Sequence, residues 1–203
     1  PFGGSGTTAL EAIRLGRRSL SIDANPLSEI IGKVKTCNLK KTDIMDLHSI
    51  RSALASRLND LPDDPVKLCD EFNEFIPEIP NIDKWFPLTS RGELALIRSK
   101  IESLESINAK NIAKIALSRI VLKVSYQDSE TRYSSKPKDI QIGESIKRFL
   151  AAYDDIIKNI TKTQALVKYG VSNFITADFK NIDSSQLKNE SIDLIVTSPP
   201  YGN

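Results

Sequence analysis

Histidine, methionine and tryptophan occur once each among these 203 residues, and cysteine twice. Cys37 and Cys69 lie far apart, with no Cys-x-x-Cys or Cys/His spacing around them. A zinc site and a disulfide framework are therefore excluded as organising devices, no metal is expected, and the cysteines read as reduced thiols of a cytoplasmic protein. His48 lacks the partner pattern that catalysis or metal binding requires and reads as a solvated helix residue. No apolar run approaches the ~20 residues of a membrane span and no signal peptide is visible, so no membrane partner is expected. Neither sign of charge dominates: 28 Lys/Arg against 26 Asp/Glu leave +2, a total that points to no polyanionic partner by itself.

What is present is an ordinary soluble composition, 40% apolar and 27% charged, in a chain long enough for a sizeable core. Residues 2–6 form a glycine-rich turn. Residues 7–15 have helical composition, with Gly16 as a C-terminal cap. "RRSLSID" reads as a short strand ending at Asp23, and Asn25-Pro26 starts a second helix through "LSEIIGKVK". Turn, helix, strand, helix is the opening of a parallel α/β sheet. The pattern resumes at "VSNFITAD", a strand running to Asp178, and "SIDLIVTSPPY" reads as a further strand, its continuous apolar run suited to burial on both faces. The expected fold is therefore α/β, a partial Rossmann-like sheet over residues 1–39 and 169–203.

Between these parts, residues 40–168 read as an all-helical insertion. Ile44, Leu47, Leu54 and Leu58 share one helical face, Leu94, Ile97, Ile101 and Leu104 another, and Ile112, Ala116 and Ile120 a third. Ile146, Phe149, Leu150, Tyr153, Ile157 and Ile160 make a fourth. "FNEFIPEIPNIDKWFP" has too many prolines for one long element, and Trp85 and Phe86 within it read as core. Charge is uneven here: residues 98–168 carry 14 Lys/Arg against 8 Asp/Glu, and residues 41–97 carry 6 against 11. The later part suits a phosphate backbone, although a solvated helix surface accounts for it equally well. "SYQDSETRYSSKPK" is its most polar stretch, and Arg132, Tyr133, Lys136 and Lys138 are the candidates for nucleic-acid contact.

"GGSGTT" brings backbone close to a ligand, because glycines at 4 and 6 can take unusual φ and leave room, while the helix that follows offers unpaired N–H groups. A Walker phosphate loop needs a lysine after its last glycine; Thr7 follows Gly6, which excludes it. Gly4, Gly6 and Ala9 satisfy G-x-G-x-x-G/A, with an acid at Asp23 about 20 residues on, where a ribose-binding group belongs. That much specifies an adenosine-containing cofactor without saying which, and a nicotinamide remains compatible with it.

"TSPPY" follows "DLIV". Two prolines fix φ and remove two donors, and they push Ser198 toward an extended conformation. The result is a rigid turn at the carboxyl end of a strand, where open α/β sheets bind ligands. Ser198 Oγ and the Pro199 carbonyl can grip the two N–H groups of an exocyclic amine, aiming its lone pair at a methyl donor. Tyr201 can stack on the base, which must leave the duplex to arrive. In isolation the same five residues are also a plain loop ending a strand.

Together, "PFGGSGTT", "SIDANP" and "DLIVTSPPYGN" resemble the S-adenosylmethionine-dependent amino-methyltransferases of DNA, which carry an F-x-G-x-G motif and a [DNS]-P-P-[YFW] motif. Phe2, Gly4 and Gly6 match the first; Ser198, Pro199, Pro200 and Tyr201 match the second. The resemblance implies that residues 2–6 line the methionine and ribose of S-adenosyl-L-methionine, that Asp23 takes the ribose hydroxyls, that Asp178 sits beside the adenine, and that residues 198–201 hold the target base. Serine at the first position of the second motif is commoner among enzymes of cytosine N4 than of adenine N6. The partner implied is DNA, with a restriction nuclease as a possible companion. The resemblance covers about the first 36 and last 35 residues and leaves the helical region unmatched.

Three other readings stand beside it. Transfer-RNA guanosine-N2 methyltransferases have a similar glycine turn and D-P-P-Y motif, with aspartate where this chain has Ser198. A helical interaction module on a degenerate methyltransferase scaffold is a non-enzymatic reading. A nicotinamide oxidoreductase accommodates Gly4, Gly6 and Asp23 and gives no reason for "SPPY". Because the chain opens on Pro1 and closes inside a motif, it reads as a segment of a longer protein, with exposed sheet edges that leave it poorly stable or unable to bind cofactor.

Overall fold

The computed structural model describes residues 1–129, 133–165, 170–183, 185 and 187–198. It is mixed α/β, mostly helical, and among the described residues it has one two-stranded sheet. The chain divides into two compact units: Pro1–Asn38 with Asn159–Asn203, and Leu39–Lys158.

In the first unit, helix α1 (Thr7–Arg14) leads to strand β1 (Arg18–Asp23), helix α2 (Pro26–Thr36) follows, and strand β2 (Val171–Thr176) returns beside β1. The strands are parallel, in register from Arg18 opposite Val171 to Asp23 opposite Thr176. Each turn has a local cause. Gly16 takes φ +72 and lets the chain reverse after α1. The Asn25 side chain accepts from the Leu27 N–H, and Pro26, which lacks an N–H, occupies the first turn of α2 where none is needed. Ala9, Ile13, Ile22 and Val34 form the small core.

That core closes over a tight approach of α1 and α2. Gly6 has φ +75, and a Cβ on it would lie 2.9 Å from the Gly32 Cα; a Cβ on Gly32 would in turn lie 2.1 Å from the Phe174 ring. Neither position has room for a side chain.

The run "DLIV" departs from the expected buried strand. Among the described residues it belongs to no strand, and Leu194 is 76% exposed, with Ile195 and Val196 also in solvent. An apolar run records affinity for a dry environment; it does not supply the neighbouring strand that would create one.

The second unit is helical: α3 (Lys41–Asn59), α4 (Pro65–Glu71), the single turn α5 (Ile82–Trp85), α6 (Leu88–Glu102), α7 (Ile107–Val121) and most of α8 (Glu144–Gln164). Its core takes Leu54, Leu96, Ile97, Ile112, Ile120, Ile146 and Phe149 out of water, with the Tyr153 hydroxyl donating to the Leu47 carbonyl at 3.1 Å. Glu93 is buried on α6 and accepts from the N–H groups of Gly143, Ser145 and Ile146 at 2.5, 2.8 and 3.3 Å, capping α8 from a neighbouring helix.

Two expectations change here. Ile44 is exposed on α3, and the inward face is Asp43, Leu47, Ile50 and Leu54. Asp43 is buried because its carboxylate accepts from the Ser106 hydroxyl, the Asn108 amide and the Lys40 N–H. Trp85 and Phe86 are half-buried cavity walls rather than core. His48 is exposed on α3, as expected, and Cys37 and Cys69 are not bridged to each other. No helix among the described residues is long and apolar enough to cross a membrane.

Candidate functional site

The carboxyl ends of the two parallel strands carry the glycine turn, Asp23, Thr176 and Asp178. Residues 2–6 turn sharply there, with φ of +56 at Phe2, +49 at Gly4 and +75 at Gly6. The turn is pinned to β1 by the Gly3 N–H, which donates to the Ile22 carbonyl at 2.9 Å, and closed by the Gly6 N–H on the Gly3 carbonyl at 3.0 Å. A Cβ on Gly4 would meet nothing within 4 Å, so open space lies against the turn at that point.

Asp23 ends β1 and binds that turn directly. Its Oδ2 accepts from the Gly4 N–H at 2.8 Å and its Oδ1 from the Asn25 N–H at 2.9 Å. The Asn25 N–H is the main reason the Asp23 carboxyl is held below its ordinary range; the Gly4 N–H and the Ser28 side chain add to it against partial desolvation. A carboxylate has about four acceptor positions, so with these three donors bound it retains capacity for a further hydroxyl.

The second strand contributes next to it. The Ala177 N–H donates to the Asp23 carbonyl at 3.0 Å, which carries the chain past β2 to Asp178. Asp178 is exposed and accepts from the Lys180 N–H at 3.0 Å, opening a short 3₁₀ turn at Phe179–Asn181. Thr176 donates its hydroxyl to Glu29, which also pairs with Lys33. Lys33 first, then Thr176, holds the Glu29 carboxyl below its ordinary range.

The closing motif meets the opening one through Thr197, whose hydroxyl donates to the Pro1 carbonyl at 3.1 Å. Ser198 follows it, exposed. Pro199, Pro200, Tyr201 and Arg132 lie outside the described residues. Tyr133, Lys136 and Lys138 belong to the helical unit: Tyr133 is 89% exposed, Lys136 is exposed, and the Lys138 ammonium donates to the Gln127 carbonyl at 2.5 Å. Among the described residues no cluster of three or more His, Cys, Asp or Glu could hold a metal ion.

The chain is similar to Type II methyltransferases. It is 27% identical over 222 residues to M.MvaI of Kocuria varians, covering all of this chain and 46% of that protein. It is 25% identical over 283 residues to M.MjaII of Methanocaldococcus jannaschii, covering 99% and 53%. Against M.BsoBI of Geobacillus stearothermophilus it is 27% identical over 236 residues, covering 100% and 43%. The chain thus spans about half the length of the curated relatives it matches. No protein-family model matches it, and no solved structure gives a significant match.

These methyltransferases align with the helical residues as well as the two motif-bearing ends. Glu29, Ser28 and Thr197 escaped the motif reading. An acid and a hydroxyl in the first turn of the helix after Asp23 were the available signal for Ser28 and Glu29, since that turn starts beside the strand end. Thr197 carried a weaker one, its place immediately before Ser198.

Proposed function

We propose that this chain carries the S-adenosyl-L-methionine cradle and the target-base turn of a site-specific DNA methyltransferase. The enzyme modifies an exocyclic amine, cytosine N4 in preference to adenine N6. The observation that carries the reading is the hydrogen bond from Thr197 to Pro1, which joins the segment leading into "SPPY" to the segment leading into "FGGSG". The similarity to Type II methyltransferases supports it. On this reading β1, β2, α1 and α2 are part of a Rossmann-like sheet, and residues 40–168 are a helical insertion within it.

The residues present suit the cofactor. Gly4 leaves open space beside the turn, and Asp23 keeps an acceptor position at the strand end for a ribose hydroxyl. Phe2, Gly4 and Gly6 line the methionine and ribose, and Asp178 stands by the adenine from the neighbouring strand. When bound, S-adenosyl-L-methionine supplies a methyl group on a positively charged sulfur that departs as a neutral thioether. Ser198 Oγ and the Pro199 carbonyl accept from the two N–H groups of the amine and turn its lone pair toward that methyl group. Pro200 stiffens the turn and Tyr201 stacks on the flipped base. The amine is neutral, so attack needs no prior deprotonation, and these residues act by positioning. The proton lost after the new N–C bond forms goes to solvent. DNA is the substrate, a restriction nuclease of matching specificity is the companion activity, and the setting is cytoplasmic.

The test is transfer of labelled methyl groups from S-adenosyl-L-methionine to duplex DNA, with transfer RNA in parallel and digestion to nucleosides. N4-methylcytosine is the expected product. Asp23→Ala should weaken cofactor binding about 10- to 150-fold, the value of a hydrogen bond to a charged group. Label confined to transfer-RNA guanosine, or binding of a nicotinamide instead, would overturn the reading.

A further inference from the structure

The helical unit holds a cavity of ≈ 440 Å³ that the methyl-transfer reading does not use. That volume is within the range of small-ligand sites. Its walls are residues 79–81 and 84–86, the end of α7 at Val121 with Leu122, and Ser125, Gln127 and Tyr133. Three aromatic side chains line it, Trp85, Phe86 and Tyr133. The Trp85 and Tyr133 ring centroids are 4.8 Å apart with the planes tilted by 47°, and the Lys84 ammonium lies 5.6 Å from the Trp85 ring centre.

The cavity is held open by main-chain bonds. The Tyr126 N–H donates to the Trp85 carbonyl at 2.7 Å, fastening the polar segment to α5. That segment folds on itself: Gln127 bridges Ser135 in antiparallel fashion, the Asp128 N–H reaches the Ser134 carbonyl at 3.0 Å, and the Lys136 N–H reaches the Tyr126 carbonyl at 2.6 Å. Tyr133 is thereby carried to the rim with 89% of its surface in water. A large aromatic side chain set at a cavity mouth on a braced ribbon, with a second ring beneath it, is a stacking platform.

Charge selects the occupant. Lys84 is over the inner ring, exposed Lys123 follows Leu122 in the chain, and exposed Lys136 lies on the same braced ribbon. Of the acids nearby, Asp83 on α5 is paired with Arg91, and exposed Asp128 on the ribbon leaves the three lysines in excess. A flat aromatic ligand linked to negative charge meets these requirements. We propose that the cavity receives an unpaired nucleobase of a nucleic-acid strand, stacked on Trp85 and Tyr133 with its phosphates toward Lys84, Lys123 and Lys136. The proposal rests on the nucleic-acid substrate of the preceding reading and adds a second contact, remote in sequence from the methyl-transfer motifs. The polar groups of Ser125 and Gln127 are already engaged, Ser125 with Leu122 and Gln127, and Gln127 with Ser129. Recognition is therefore mainly by stacking, with the Asn81 amide the lining group placed to read a base edge.

Trp85 is the only tryptophan, so its fluorescence reports on this cavity alone. The 203-residue chain is titrated with a mixed-sequence single-stranded deoxyoligonucleotide and with the corresponding duplex, at low and high salt. Saturable quenching by the single strand, weakened by salt, is expected. Tyr133→Ala should weaken binding about 5- to 150-fold, the range of one stacked base, and Tyr133→Phe should restore it. Tyr133 is almost fully exposed, so neither change disturbs a core. A Trp85 signal indifferent to every oligonucleotide, or equal binding by Tyr133→Ala and the parent chain, overturns the proposal. Methyl transfer by the full-length protein, read separately, keeps the two hypotheses apart: transfer without quenching removes the cavity's role, and quenching without transfer removes the enzymatic one.

Discussion

Glu93 shows what one buried carboxyl can decide. It is 1% exposed, yet its two oxygens serve three N–H groups at the start of α8. Desolvation pushes its pKa up, and the backbone N–H groups of Gly143, Ile146 and Ser145 pull the other way without reversing the shift. The folded state therefore binds this proton more tightly than the unfolded chain does. Stability from this group is fully present below the ordinary glutamate range and declines as pH rises through the raised folded value. Urea unfolding of the parent chain should show that decline, and Glu93→Gln, which cannot titrate, should lack it. A parent and variant with parallel pH profiles would mean that the carboxyl titrates as it does in the unfolded chain. Glu93→Ala should cost about 2–4 kcal/mol at neutral pH, because the cap is lost and buried N–H groups go without an acceptor.

At the scale of elements, the close approach of α1 and α2 makes Gly6 a packing residue. A methyl group there meets the Gly32 backbone and the position requires positive φ. Gly6→Ala should lower unfolding free energy by about 1–3 kcal/mol, with the midpoint of denaturation read by circular dichroism. Gly4→Ala also has positive φ but meets no atom, so it should cost less stability; a larger loss for Gly4 would contradict the packing account. The same elements show what the sequence makes legible. Turn, helix, strand and helix over residues 2–36 were readable because each boundary is marked locally, by Gly6, Gly16 and Asn25-Pro26. The inward face of α3 was misjudged because an apolar count prefers Ile44 to Asp43, and only tertiary structure supplies Ser106 and Asn108 as partners for that carboxylate. Gly4 and Asp23 were singled out by the spacing of glycines and acid, as cofactor contacts rather than as partners of each other. The Trp85–Tyr133 pair was not, because 47 intervening residues carry no periodicity that brings two rings together.

For the whole molecule, the run around Leu194 is the feature that sets behaviour in solution. Ile192, Leu194, Ile195 and Val196 are all substantially exposed, as is Phe2 near the other end of the chain. Exposed apolar surface of this kind favours association with another apolar surface, and a net charge of +2 provides little repulsion between copies. The chain should therefore bind a hydrophobic dye and self-associate as its concentration rises, with association strengthening in ammonium sulfate, which strengthens apolar burial. Leu194→Lys with Val196→Lys should suppress both effects while leaving the helical circular dichroism unchanged, since neither residue lies in an element of the fold. Sedimentation of the parent chain as a dye-silent monomer at every concentration would mean that the run is covered in solution, and the exposure of Leu194 would then have to be abandoned.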